Sequence, residues 1–326
     1  MHGIIDLKDG GKRMENRKVV IIGDGAVGSS IAFALTLSTL VSEIVIIDIN
    51  KAKAEGDALD LNHGMSLTHP KRIYAGEYKD VKDAKVIILA CGVGQREGET
   101  RIELLARNKR VFDSVIDSMK PYVHKEAIVL VVSNPVDILA HYVSQKLDLP
   151  KEQIIGSGTV LDTARLKYLL SVDTGIDPRN IHAYVIGEHG DSEIAAFSVT
   201  DIAGLPISKF CDKCGRCADR NMKNFVRMQD DVRHAAYEII QKKGATYYGI
   251  AISTKRILEA ILNNEHSVLT ISTYLENEFD GKVSDVYLSL PVVLGNMGVE
   301  RLIRPEYSEE EIEGLIKSAE VLKANR

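Results

Sequence analysis

Apolar residues come along this chain in short unbroken blocks, set between longer stretches of mixed polarity. Lys18–Ile22 (KVVII) and Glu43–Ile47 (EIVII) are β-branched runs with almost no polar face, as strands buried on both sides of a parallel sheet require. Residues 86–90 (VIILA) and 127–132 (AIVLVV) repeat the pattern, and residues 72–75 make a shorter strand candidate. Between them, the stretch leading to Leu40, residues 51–67 and residues 102–120 read as helices. Strand and helix in alternation predict a doubly wound sheet, whose ligands bind at the carboxyl ends of the strands.

Past residue 156 the texture changes. Residues 160–171, 224–243 and 244–262 read as helices, 181–187 and 194–199 as strand-like, and 267–275 and 283–294 alternate like antiparallel strands. A last helix is predicted from Ser308, where Glu311 completes a capping box and Ile312, Leu315, Ile316 and Ala319 line the apolar face.

At 326 residues the chain is long for one domain and comfortable for two. With 45% hydrophobic residues it can bury a full core. Its 41 basic and 46 acidic residues leave a net charge of −5 spread along the chain, so no basic stripe marks a nucleic-acid binder. No apolar run approaches the roughly 18 residues that crossing a bilayer takes, and no membrane role is expected. Residues 1–17 lack the apolar core of a secretory signal and read as a polar leader, disordered or foreign to the native chain, with Met14 as the natural start. Cys91, Cys211, Cys214 and Cys217 do not make a disulfide framework for a chain this size, which points to a reducing cytoplasm.

The first buried strand empties into Gly23-Asp24-Gly25-Ala26-Val27-Gly28 and then into a helix. Gly23 suits the tight turn, Gly25 lets backbone approach a pyrophosphate, and Gly28 lets helix and strand pack closely. The helix N-terminus offers unpaired N–H donors and partial positive charge to the phosphates. Asp48 closes the second strand, where its carboxylate can take both ribose hydroxyls and repel a 2′-phosphate, favouring NAD over NADP. The fold class is therefore α/β: a Rossmann doubly wound parallel sheet over 18–156, followed over 157–326 by an α+β catalytic domain with antiparallel strands.

Two further stretches carry chemistry. His189 sits at a strand end between two glycines, in GEHGDS, with a catalytic and a structural role both open. Asp162 and Arg165, three apart in LDTAR, share a helical face and can point into one cavity; the alternative is a surface ion pair worth at most about 1 kcal/mol.

In order along the chain, GDGAVG with its distal acid, GQREGETR, SNPVD, LDTAR and GEHGDS resemble the NAD-dependent L-lactate dehydrogenases of bacteria, within the lactate/malate dehydrogenase family. The resemblance runs from about Lys18 to the C-terminal helix. It implies reversible hydride transfer between NADH and pyruvate, giving L-lactate and regenerating NAD in fermentative glycolysis. His189 would donate and accept the proton, Asp162 would hold its other ring nitrogen, and Arg165 would clamp the substrate carboxylate bidentately. Arg101, carried on a glycine-bearing loop, would close onto the carbonyl oxygen, Asn134 would hydrogen-bond it, and Thr246 would line the pocket. Gly23, Gly25, Val27, Gly28, Asp48, Lys53, Tyr78, Gly92, Ser114, Ser133 and Asn134 would contact NAD.

Gln95 is expected to choose the substrate. Malate dehydrogenases carry arginine there, and a neutral glutamine would leave the second carboxylate of oxaloacetate unpaired in a closed pocket. Fructose 1,6-bisphosphate activates many bacterial members; its histidine position is matched by His182, while Lys167 replaces the arginine. The family also implies a homo-oligomer, typically a tetramer, with 51–67 and 160–171 as contact faces. Cys211, Cys214 and Cys217 have the spacing of part of an iron–sulfur run but lack a fourth ligand, so they are expected to be ordinary thiols on a loop, with no metal. The rival readings are a reductase of bulkier 2-keto acids, a malate dehydrogenase, a catalytically silent NAD-binding protein, and a metal-using NAD-dependent glycosidase.

Overall fold

A computed structural model describes residues 17–94, 101–214 and 222–326. The first half alternates as the sequence predicts: β1 (Lys18–Ile22), α1 (Ala26–Thr36), β2 (Glu43–Ile47), α2 (Lys51–His63), β3 (Arg72–Ala75), β4 (Val86–Leu89), α3 (Arg101–Met119), β5 (Ile128–Val131), α4 (Val136–Lys146) and β6 (Ile154–Gly156). These strands pair in parallel in the order β3-β2-β1-β4-β5-β6, with Ile22 beside both Ile47 and Leu89 at the carboxyl end. The order reverses between β1 and β4, which opens a crevice above their ends.

After α5 (Val160–Thr174) come the two-residue strands β7 (Ile181–His182), β8 (Val185–Ile186), β9 (Ile194–Ala195), β10 (Asp201–Ile202) and β11 (Leu205–Pro206). Then follow α6 (Ile207–Cys214), α7 (Met222–Lys243), α8 (Tyr248–Leu262), β12 (Ser267–Leu275), β13 (Val286–Gly295), β14 (Gly298–Leu302) and α9 (Glu309–Ala324). β12, β13 and β14 continue the same sheet in antiparallel fashion, giving nine strands among the described residues, and the junction is Gly156 beside Ser272. A Cβ on Gly156 would lie 2.8 Å from that of Ser272, so glycine is what lets β12 close on β6.

Because both faces of the sheet are covered, the alternation of side chains divides the core. Val20, Ile22, Ile87 and Leu89 pack with α3, α4 and α9; Val19, Ile21, Ile44 and Ile46 pack with α1, α2 and α8. Each such side chain contributes about 1.5–3 kcal/mol through burial. A smaller core joins Leu166 and Leu170 of α5 to Met228 and Val232 of α7.

Several boundaries differ from the sequence reading. The helix expected over 51–67 stops at His63, Gly64 turns the chain, and residues 65–67 form a 3-10 turn. The stretch 181–187 breaks into β7 and β8, and 194–199 gives only β9 before a 3-10 turn. α8 starts at Tyr248 rather than 244, since Gly244 adopts φ +85 and ends the preceding helix. α4, α6, β6 and β14 lie outside the elements that the sequence pattern predicts. The capping box at Ser308 forms, with the Glu311 N–H donating to Ser308 Oγ at 3.3 Å and the Ser308 N–H to Glu311 Oε2 at 3.0 Å. Among the described residues no helix is long and apolar enough to cross a membrane.

Candidate active site

The glycine turn is built by close approach. Gly23 has φ +103, and a Cβ there would sit 2.4 Å from the Cys91 nitrogen; a Cβ on Gly28 would sit 1.9 Å from the Gly23 carbonyl oxygen. Gly25 differs: a Cβ there would meet nothing within 4 Å. The space above it is open, α1 has no side-chain cap at Gly25, and its first turn carries no acid. Uncapped N–H groups facing open space fit a pyrophosphate. Val27, on the same turn, is half-buried against the core.

Asp48, at the end of β2, accepts the Asp24 N–H at 2.6 Å and the Asn50 N–H at 2.8 Å, so one carboxylate fixes both sides of the crevice. Lys53 is held by Asp24 at 3.1 Å and Asp57 at 2.6 Å. Asp24 is buried; burial raises its carboxyl to about 6 against the pull of Lys53. Tyr78 packs near Asp48 and Cys91, and burial, then their charge, raises its phenol above the ordinary range. Ile49, beside Asp48, is fully exposed.

Asn108 of α3 ties the next two loops together. It is buried, accepts the Val93 N–H at 2.8 Å, and donates to the Asn134 carbonyl at 3.4 Å. A Cβ on Gly92 would press on its Oδ1 at 3.1 Å. Ser133 Oγ donates back to the carbonyls of Leu89 and Cys91, and the Asn134–Pro135 peptide is cis. Asn134 is thereby left exposed at the mouth of the crevice. Ser114, also on α3, is exposed about 120° around the helix from Asn108 and makes no hydrogen bond to these loops among the described residues.

The catalytic candidates converge on Asp162. Its Oδ2 lies 2.6 Å from His189 Nδ1 and its Oδ1 accepts from Arg165 NH1 at 2.6 Å, with the Asp162 side chain 2% exposed. The pair is buried rather than a surface ion pair. Burial alone would raise the Asp162 carboxyl, but His189 and Arg165 outweigh it and hold it below the ordinary range. Burial likewise would lower His189; the charge and hydrogen bond of Asp162, helped by Glu193 and Asp137, lift it to about 9. Its position is set from three sides: Gly187 exchanges backbone bonds with Ser289 of β13, the Glu188 N–H donates to Ser318 of α9, and the His189 N–H donates to Asp137 of α4 at 2.8 Å.

Asp137 and Glu193 are the groups that sequence reading passed over. Asp137 closes the SNPVD motif and Glu193 follows GEHGDS directly, but nothing local distinguishes a buried acid from an exposed one. Both are almost wholly buried. The donor atoms of Asp162, His189 and Glu193 lie within 4.8 Å of one another. Asp162 has already committed both oxygens, one to His189 and one to Arg165, and the Glu193 carboxyl stands beside that hydrogen-bonded pair.

Thr246 is half-buried on the turn into α8, three residues before Gly249, where a Cβ would touch Leu161 of α5 at 3.0 Å. That brings its turn to the start of the helix bearing Asp162. Lys167 is half-buried, its ammonium pushed below the usual range by burial, and makes no ion pair among the described residues; His182 is exposed on β7. Gln95 lies outside the described residues, as does the side chain of Arg101. Cys211 and Cys214 fall on α6 rather than a loop, and Cys211 is buried in the small core; Cys217 is outside the described residues.

Residues 17–156 match the lactate/malate dehydrogenase NAD binding domain, and residues 159–326 match the alpha/beta C-terminal domain of the same family. The L-lactate dehydrogenase of Acetivibrio thermocellus is 49% identical over 308 residues, 94% of this chain and 95% of that protein. L-lactate dehydrogenase 1 of Clostridium acetobutylicum is 48% identical over 95% of this chain and 97% of its own length. Among solved structures, a lactate dehydrogenase from a Medee basin deep-sea metagenome library superposes with a TM-score of 0.91 at 43% identity, covering 96% of this chain and 98% of that one. The minor L-lactate dehydrogenase of Enterococcus mundtii, in its ligands-bound form, gives 0.91 at 39% identity over 95% of this chain and 98% of that one. With both domains matched over nearly the whole described chain, the protein belongs to the lactate/malate dehydrogenase family.

Proposed function

We propose that this protein is an NAD-dependent L-lactate dehydrogenase, interconverting pyruvate and L-lactate. The observation that carries the reading is the sharing of one buried carboxylate, Asp162, by His189 and Arg165, in a chain about half identical to proteins named L-lactate dehydrogenase. NADH, when bound along the crevice by the glycine turn and Asp48, supplies the hydride. The chain's own residues do the rest. Arg165 pairs with the substrate carboxylate through the guanidinium nitrogens not used by Asp162. His189, with Nδ1 committed to Asp162, presents Nε2 to the carbonyl oxygen and gives up a proton as the alcohol forms; in reverse it takes that proton back. Arg101 and Asn134 stabilise the negative charge developing on the oxygen, and Gln95 leaves the methyl of pyruvate uncontested.

Two features extend the reading. Leu59 and Leu67, with Tyr168, are side chains exposed on the two segments the family resemblance marks as contact faces, which supports a homo-oligomer, a tetramer by resemblance. Lys167 and His182 support a bisphosphate activator site in which lysine serves as a point charge. A cytoplasmic enzyme is the matching location.

The test is a side-by-side assay of NADH oxidation with pyruvate, oxaloacetate and 2-ketoisocaproate, with and without fructose 1,6-bisphosphate. Pyruvate is expected to give the highest kcat/KM. A preference for either other acid replaces the substrate assignment, and no turnover of any overturns the enzyme reading. Gln95→Arg is expected to shift preference toward oxaloacetate.

A further inference from the structure

Glu193 stands in the turn between His189 and β9, with its residue surface 3% exposed and its Oε1 without any hydrogen-bond partner. Its carboxyl is within 4.8 Å of the donor atoms of both Asp162 and His189. Two carboxylates this close, shut away from water, cannot both ionise unless enough positive charge faces them. The positive groups are already engaged. Arg165, from α5, is bonded to Asp162, and Arg233, from α7, spends Nε and NH2 on the Glu193 backbone carbonyl at 3.2 and 2.6 Å. From α4, Asp137 adds a third acid against His189, and Glu188 shares the turn. Among the described residues, the Glu193 side chain is therefore the one acid of the cluster that neither a salt bridge nor a hydrogen bond stabilises in its ionised form.

We propose that Glu193 is a positioning residue for proton transfer: its buried carboxyl takes part in the charge balance of the Asp162–His189 pair and so sets the acidity of the imidazole. While His189 is imidazolium, its charge favours ionised Glu193, and ionised Glu193 in turn holds the proton on the ring. When the ring gives its proton from Nε2 to the substrate oxygen, that support disappears and Glu193 binds a proton more readily, one taken from bulk solvent rather than from the ring, so the buried site avoids accumulating negative charge. The raised carboxyl of Glu193, pushed to about 8 by burial and then by Asp162, agrees with this arrangement. The inference rests on His189 being the proton donor.

The test compares pH profiles of kcat/KM for pyruvate, with saturating NADH, in the native enzyme and Glu193→Gln. The alkaline limb, where the imidazolium is lost, is expected to move down by about half to one pH unit in the glutamine variant, so that above the limb the rate falls roughly three- to tenfold further below its own plateau than in the native enzyme. A purely structural role for Glu193 lowers the plateau and leaves the limb in place. Superposed limbs overturn the proposal. Should the glutamine variant not fold, Glu193→Asp draws the carboxyl back by one methylene, and an unmoved limb there overturns it equally. His189→Gln tests the underlying reading separately: turnover that survives it removes the donor role and Glu193's with it, whereas lost turnover together with superposed native and Glu193→Gln limbs removes only the latter.

Discussion

The Nδ1 of His189 lies 2.6 Å from Oδ2 of Asp162, and that bond decides which ring nitrogen is left for chemistry. With Nδ1–H donating to a buried carboxylate, the free nitrogen is Nε2, and the ring cannot flip without abandoning its partner. The other oxygen of the same carboxylate holds Arg165, so the proton donor and the carboxylate clamp are registered to each other by a single side chain.

Asp162→Asn breaks this registration while preserving shape. An amide offers one acceptor where two are needed, and its NH2 would face either the guanidinium or the ring. We expect kcat for pyruvate to fall by about 100-fold or more, the range over which a positioned acid–base group contributes. A rise in KM for pyruvate should accompany it as Arg165 loses its anchor. A variant within about threefold of native kcat removes Asp162 from the mechanism.

The raised pKa of His189 predicts opposite pH responses for the two directions. In the folded protein the imidazolium persists to about 9, because Asp162 outweighs the cost of burial. Pyruvate reduction needs the protonated ring, so its kcat/KM should hold through neutral pH and decline as pH rises through about 9. Lactate oxidation needs the neutral ring and should rise across the same interval. Stability follows the same sign: the pair's contribution is full below the ordinary histidine value of about 6.5 and is lost as pH rises toward 9. Thermal melts on the apo protein, recorded alongside the rates, check both; parallel rather than opposite rate profiles exclude the assignment.

Asp137 acts on His189 from the backbone side. It accepts the His189 N–H at 2.8 Å from a wholly buried position, and burial raises its own carboxyl to about 6. Asp137→Ala should strand that N–H in the interior, a loss of about 1–3 kcal/mol, and loosen the turn that carries the ring. Asp137→Asn keeps an acceptor and removes the buried charge, so it should lose much less in both melting temperature and kcat. Equal losses in the two variants mean that Asp137 serves through its charge and not through the bond.

Much of this was legible beforehand, and the division has a physical cause. The buried strands announce themselves because a strand covered on both faces must be apolar throughout, and Gly23 and Gly28 announce the turn because a Cβ there would come within 2.4 and 1.9 Å of backbone atoms. His189, Asp162 and Arg165 were nameable from their motifs. The resemblance also implies that Asp162 holds the His189 ring; what no local pattern carries is how the His189 turn is held there, by α4, β13 and α9 from residues 137, 289 and 318. Asp137 and Glu193 escaped for the same reason: burial of an acid is a property of the packed fold.

The glycines themselves separate folding from cofactor binding. Gly28→Ala would drive a Cβ into the Gly23 carbonyl oxygen at 1.9 Å, forcing α1 away from β1; the cost falls on stability, whether or not NAD is present. Gly25→Ala meets no protein atom within 4 Å and has φ −73, a conformation alanine adopts freely. Its methyl would instead occupy the space where a pyrophosphate approaches the backbone. The Gly25 variant should therefore melt within about 0.5 kcal/mol of the native apo protein while binding NADH at least roughly tenfold more weakly by fluorescence titration. The Gly28 variant should melt several degrees lower before any ligand is added. Native NADH affinity in Gly25→Ala is the result that removes the pyrophosphate from this turn, because no protein contact would then remain to explain why the open position above it matters.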